Sequence, residues 1–306
     1  MWAITSYFNP AGFKSRAPNY RIFRENLAIP LVTVELSFDG RFELSKKDAD
    51  VLIQLSRGAV LWQKERLLNI ALKSVPADVD DIAWIDGDVV FERSDWVAEA
   101  KKQLREYNVV QLLSDQVDLE PDSHQANFDY FDKPASGHGV VSMVHAGKFN
   151  QAKVTPPSAQ NRRSFVWGLA WAGRRHILEE HGLYDAMIVG GATRAVVSAM
   201  YGDFDKVIEG CLFTPACERH YLNWALPFHQ AVGGRIGFIP GRLYHLWHGD
   251  IENRNYAGRY RGLADRNFDP DADLVVGANG AWQWARSRPD LESFLKNHFI
   301  SRAEDG

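Results

Sequence analysis

The apolar positions of the first third of the chain fall in short β-branched runs separated by segments of helical period. Trp2 to Tyr7 is such a run, broken by Asn9-Pro10-Ala11-Gly12, and predicts a first strand passing into a loop. Tyr20 to Leu27 predicts a helix, with Pro30 closing the segment. Leu31 to Leu36 predicts a second strand with Glu35 near its end, and Val51 to Leu55 a third. Leu61, Leu67, Leu68, Ala71, Leu72 and Val75 recur at helical spacing, so a helix is expected from Leu61 to Val75, ended by Pro76. Asp81 to Ile85 is apolar after its first residue, the pattern of a parallel strand buried on both faces. Ser94-Asp95 opens a helix through Leu104, and Asn108 to Leu113 forms the next strand. This alternation predicts an α/β fold with a doubly wound, mostly parallel sheet and helices on both faces. In such sheets ligands sit beyond the carboxyl ends of the strands.

The period weakens from Ser114 to Pro157, a stretch rich in Asp, His, Gly and Pro. Within it Val140 to Val144 predicts a strand, and Thr155-Pro156-Pro157 a loop. Beyond it Phe165 to Ala172 reads as a strand, Arg174 to His181 as a helix ended by Gly182, and Ala192 to Tyr201 as a helix. Ile236 to Ile239 and Leu243 to Trp247 bracket Pro240-Gly241. No repeat, low-complexity run or linker interrupts the chain. A single domain over residues 1–306 is expected, with 1–115 as one half and 116–306 as the other.

With 306 residues, 45% of them hydrophobic, the chain can bury a large core. A net charge of -4 argues against a molecule that binds nucleic acid or anionic membrane through its whole surface. Cys211 and Cys217 are too few for a disulfide framework and form no CxxC pair. The Met1-Trp2-Ala3-Ile4 start lacks a basic leader followed by a long apolar run, and no window reaches the roughly 18 apolar residues of a membrane span. A soluble, cytoplasmic protein is expected. Ten tryptophans suit both core packing and stacking on sugar faces.

The candidate chemistry begins at Asp86-Gly87-Asp88, directly after the apolar strand. Two carboxylates one residue apart at a strand's carboxyl end can hold a hard divalent cation, leaving room for phosphate and water. Asp-Gly is also a strong hairpin-turn signal. Upstream, a helix carrying Lys64 and Asn69 leads through a short loop into Ile82-Ala83-Trp84-Ile85 and the Asp-Gly-Asp. That ensemble resembles the donor half of GT-A glycosyltransferases, particularly the family 2-like group. The resemblance covers residues 1 to 115 well and the remainder more loosely. It implies a GT-A type sheet, a nucleotide-sugar donor such as a UDP-sugar, and Mn²⁺ or Mg²⁺ as cofactor. It places Thr5, Tyr7, Asn9 and Glu35 near the nucleotide base and ribose, Lys64 and Asn69 on the donor, and Asp86 and Asp88 at ribose and metal.

Leu243-Tyr244-His245-Leu246-Trp247-His248-Gly249-Asp250 carries two imidazoles three residues apart. By the same resemblance His248 or His245 completes the metal site, with His248 preferred because Gly249 lets the backbone pass close to a diphosphate. Arg254, Tyr256, Arg259 and Tyr260 follow with charge and rings suited to phosphate or acceptor. Gly182-Leu183-Tyr184-Asp185 and the Gly190-Gly191 turn resemble the acceptor side of these enzymes. Inverting relatives carry an acidic general base after that turn. Here the position is Ala192, followed by Thr193, so the base is expected at another acid such as Asp185 or Asp203, or is missing.

The resemblance implies a hydroxyl acceptor, on a glycan or on a hydroxymethylated base of phage DNA. For the latter, Arg162, Arg163, Arg174, Arg175 and the arginines from 235 to 266 would form a local cationic groove. A nucleotidyl- or phosphoryl-transferring enzyme would use the same carboxylate–metal chemistry, but the chain has no Gly-rich phosphate loop. A catalytically dead nucleotide-sugar binder is favoured only by Ala192.

Overall fold

A computed structural model describes residues 1–121, 133–148 and 165–306. In chain order the first half gives β1 (Trp2–Phe8), α1 (Arg16–Glu25), β2 (Leu31–Ser37), β3 (Val51–Ser56), α2 (Lys64–Leu72), β4 (Asp81–Ile85), β5 (Val89–Phe91), α3 (Trp96–Gln103), β6 (Val109–Gln111) and β7 (Asp115–Asp118). Then come β8 (Gly137–Gly139), α4 (Val140–His145), β9 (Phe165–Val166), β10 (Ala170–Arg174), α5 (Arg175–His181), α6 (Ala192–Tyr201), α7 (Phe204–Gly210) and α8 (Pro215–Val232). The last elements are β11 (Ile236–Phe238), β12 (Arg242–His245), α9 (Tyr256–Ala264), α10 (Pro270–Asp273), β13 (Leu274–Val276), β14 (Trp282–Trp284) and α11 (Pro289–Ile300).

The central sheet has seven strands in the order β11-β6-β10-β4-β1-β2-β3. Every neighbouring pair is parallel except the two that β10 makes, with β4 and with β6. β2 is buried at all seven positions, which explains why its sequence does not alternate. Ile4, Val32, Val34 and Trp84 face one core with α2, α6, α8 and α11, while Ala3, Leu31, Ala83 and Ile85 face a second with α1 and α3. Helices on both faces of a mostly parallel sheet are what the strand–helix alternation predicts. β10 and β11 come from beyond residue 115 and lie in the same sheet as β1 to β4, so the two halves of the chain interleave.

A smaller five-stranded sheet, β5-β12-β7-β8-β9, carries the histidine segment to the central one. β12 pairs antiparallel with β5, with His245 opposite Val89. On its other side β12 runs parallel to β7, with His245 opposite Asp118.

The structure corrects two local expectations. Val140 to His145 is a helix and not a strand: Val140, Val141 and Val144 are buried at helical spacing, and the Ser142 hydroxyl donates to the Gly139 carbonyl at 2.8 Å. Tertiary packing outweighs the β-branched run here. The expected strand from Phe165 to Ala172 is two strands separated at Leu169, whose φ is 73°. The loop expected at Thr155-Pro156-Pro157 lies outside the described residues.

Candidate active site

The site lies past the carboxyl end of β4. The Thr5 hydroxyl donates to the Ile85 carbonyl at 2.7 Å, and the Asp86 amide to the Leu169 carbonyl at 2.7 Å, which fixes the chain as it leaves the strand. Lys64, at the first position of α2, makes an ion pair with Asp86. Gly87 passes close to Tyr20: a Cβ there would stand 3.3 Å from its ring. The Leu246 amide then donates to the Asp88 carbonyl at 2.8 Å, so the backbone after β12 is bonded directly to the Asp-Gly-Asp turn.

That bond brings three ligand atoms together. Asp88 Oδ2 is 3.2 Å from His248 Nε2 and 4.0 Å from His245 Nε2, and the two Nε2 atoms are 3.1 Å apart. Each imidazole has a carboxylate on its other nitrogen. His245 Nδ1 bonds Asp118 Oδ1 at 2.9 Å, and His248 Nδ1 lies 3.8 Å from Glu304 Oε1. With a carboxylate accepting at Nδ1, the lone pair of His245 is left on Nε2, the orientation that outer carboxylates impose on metal-binding histidines. Burial lowers the His248 pKa to about 4, so its ring is neutral near pH 7.

Two arginines stabilise the far side. Arg16 donates to Glu304 through Nε at 2.6 Å and Nη2 at 2.9 Å, and Arg302 through Nε at 2.6 Å. Burial alone would raise the Glu304 carboxyl, but Arg16 and Arg302 hold it well below the usual carboxylate range. Arg254 Nη2 stands 3.0 Å from His248 Nε2, and its Nε has no hydrogen-bond partner among the described residues.

Asp88, His245 and His248 are a group that could hold a cation, and Asp88 Oδ1 is buried without a hydrogen-bond partner among the described residues. A bare buried carboxylate oxygen is costly. A divalent ion with bonds of roughly 2.1 Å places adjacent ligands about 3 Å apart, close to two of the three separations found. The donor set therefore fits a metal. Two imidazoles and one carboxylate suit Mn²⁺ better than Mg²⁺, which prefers oxygen and water.

Other sequence candidates are engaged elsewhere. Tyr7 donates to Glu43 at 2.8 Å, as does Asn9 at 2.9 Å, and Glu35 accepts from the amide of Glu43 at 2.6 Å and from Gln54 at 2.8 Å. These side chains frame the loop after β2. Asn69 binds both the amide and the carbonyl of Leu183 and, with Arg66, the carboxylate of Asp185. Asp185 therefore ties α2 to the segment before α6. Asp203 stands at the N-cap position of α7, 7% exposed.

Ala192 opens α6 and is fully buried in the main core. The Gly190-Gly191 turn before it has φ values of 79° and 97°, with Trp62 and Tyr260 packed on the two glycines. The next residue, Thr193, lines a small cavity between α2 and α6.

Of the arginines expected in a cationic groove, at least four have partners within the protein. Arg174 pairs with Asp81, Arg175 with Glu179, Arg242 with Glu92, and Arg235 donates to the Glu106 carbonyl. Arg162 and Arg163 lie outside the described residues, as does the side chain of Tyr256. Asp118, Glu304, Arg16 and Arg302 were not legible as site residues in the sequence. Asp118 sits in the irregular middle stretch, and the other three carry no local motif.

No protein-family model matches the sequence, and no curated protein matches it. Among solved structures, S. aureus TarS 1-349 in complex with UDP is similar at 11% identity and a TM-score of 0.40, over 88% of this chain and 66% of that one. The chain thus spans just under two thirds of the length of that structure. A second structure of S. aureus TarS 1-349 matches at 10% identity and a TM-score of 0.40, over 98% of this chain and 70% of that one. The 4-diphosphocytidyl-2C-methyl-D-erythritol synthase of Anaerococcus prevotii matches at 10% identity and a TM-score of 0.33, over 78% and 86%. Among the described residues no helix is long and apolar enough to cross a membrane.

Proposed function

We propose that this chain is a metal-dependent glycosyltransferase that moves a sugar from a nucleoside-diphosphate sugar, with UDP the first nucleotide to test, to a hydroxyl acceptor. The observation that carries this reading is the convergence of Asp88, His245 and His248 beside the Lys64–Asp86 pair, with Asp88 Oδ1 left bare. A bound Mn²⁺ would supply charge neutralisation for the departing diphosphate. Asp88, His245 and His248 would hold it, Asp118 and Glu304 would orient the imidazoles, and Arg254 would meet a phosphate oxygen. Lys64 holds Asp86 in place at the ribose side.

A glycan is the acceptor to test before DNA, because Arg174, Arg175 and Arg242 are paired with acids of the protein. Calorimetric titration with UDP in Mn²⁺ and in EDTA tests the reading, with Asp88→Ala as control. Binding at least tenfold tighter in Mn²⁺, lost in Asp88→Ala, is the expected result. Equal affinity in both buffers removes the metal, and no binding in either removes the donor.

A further inference from the structure

An inverting transfer needs a group to take the acceptor proton; Ala192 has none to offer, and Asp185 is bonded to Asn69 and Arg66. The cavity beside Thr193 holds a different carboxylate. It measures about 10 Å³, roughly the room one water needs. Lys64, Glu65 and Leu68 of α2 line one side, Thr193 and Val196 of α6 the other, with Trp171 of β10 among the rest.

Glu65 is the only acid in that lining and is 5% exposed. Acids are common in the first turn of a helix, where they face solvent and complement the dipole. Glu65 instead turns inward, while its neighbours pair elsewhere: Lys64 with Asp86, and Arg66 with Asp185. No cation among the described residues stands within ion-pair distance of its carboxylate. The cavity is bounded by the lysine that holds Asp86, so it lies one side chain from that carboxylate.

We propose that Glu65 takes the proton of the acceptor hydroxyl, through one water held between its carboxylate and Thr193. This rests on the transferase reading above. The acceptor oxygen forms a bond to the anomeric carbon as the bond from that carbon to the diphosphate oxygen breaks. The nucleoside diphosphate leaves with the electron pair, and the hydroxyl proton passes to the water, which gives one of its own to Glu65.

Burial pushes the Glu65 carboxyl up to about 7, partly offset by Lys64. That value suits a base working near neutral pH. The charged groups that reach it are Lys64 on its own helix, Asp86 after β4 and Asp185 before α6. The lining residues of α6 and β10 do not titrate.

The test compares wild type with Glu65→Gln, which keeps the shape of the side chain. UDP affinity is measured in Mn²⁺, and UDP release by hydrolysis of UDP-glucose, UDP-galactose and UDP-N-acetylglucosamine is followed from pH 5 to 9. Glu65→Gln should keep UDP affinity within about twofold, lose 10²–10⁴-fold in kcat, and lose the rise in kcat near pH 7. An unchanged rate and pH profile overturns the proposal. So does a wild type that binds UDP and Mn²⁺ yet hydrolyses none of the three sugars at any pH, since a working base would activate water. Failure of the wild type to bind UDP and Mn²⁺ at all is the separate failure of the transferase reading. Should Glu65→Gln misfold, Thr193→Val reads the same water: it should slow turnover at unchanged UDP affinity, and an unchanged turnover overturns the proposal.

Discussion

Asp88 Oδ2 and His248 Nε2, far apart in the chain, stand 3.2 Å from one another because the Leu246 amide donates to the Asp88 carbonyl at 2.8 Å. β12 pairs with β5, the strand that follows the Asp-Gly-Asp turn, so the late histidines are carried onto the early carboxylate by sheet register. The metal reading depends on this pairing, and several measurements follow from it.

Mn²⁺ should stabilise the chain against thermal unfolding. At a hundredfold excess over the dissociation constant, mass action supplies about 2.7 kcal/mol. His245→Ala should remove most of the shift, and Mg²⁺ should give a smaller one than Mn²⁺. A Mg²⁺ shift equal to that of Mn²⁺ would contradict the two-imidazole ligand set.

Asp118 orients His245 through Nδ1 at 2.9 Å without belonging to the ligand set. Asp118→Ala should weaken Mn²⁺ binding by roughly 10–100-fold, the usual effect of losing an outer partner. Metal titration by calorimetry reads this directly, and an unchanged affinity would show that His245 is not a ligand.

Ala192→Asp should cost stability and bring no gain in rate. The methyl group is fully buried in the core, and an unpaired carboxylate there costs a few kcal/mol. The resemblance by itself implies the opposite, a base restored. A rate rise of 10²-fold or more at unchanged melting temperature would show that position 192 does reach the acceptor.

Gly191→Ala should destabilise by about 2 kcal/mol or more. The residue has φ 97°, where side chains are strained, and a Cβ would collide with the Tyr260 hydroxyl. Chemical denaturation at pH 7 gives the number, and a loss below about 0.5 kcal/mol would mean the turn relaxes freely.

His298 should make the fold sensitive to acid. It is buried, its Nε2 has no hydrogen-bond partner among the described residues, and burial lowers its pKa to about 4, helped by Arg259 and Arg302. The unfolded chain binds this proton from about pH 6.5 downward and the folded chain only near 4, so stability present above pH 6.5 is lost as pH falls through that window. The loss amounts to up to about 3 kcal/mol. His298→Phe should flatten the pH dependence of unfolding between 6.5 and 4, and an unaltered slope would exclude it as the cause.

Local sequence determined the elements whose pattern reports burial. β1, β2, β3, β4 and β6, with α1, α2 and α3 between them, follow from apolar runs, helical spacing and proline stops, because a parallel sheet covered on both faces demands them. The Asp-Gly-Asp and the pair of histidines were legible as chemistry for the same local reason. The tertiary structure decided where they go. Val140 to His145 became a helix because its burial partners are spaced three and four residues apart, which a β-branched run does not reveal. Tyr7, Asn9 and Glu35 went to a loop around Glu43, and Asn69 to Asp185, because a polar side chain's partner is set by what packs against it. Asp118 and Glu304 joined the histidines, and Glu65 turned inward beside Thr193, through strand register and helix packing. Residue type and spacing fix what a side chain can do chemically. Which group it meets depends on contacts between segments distant in the chain, and local pattern carries no record of them.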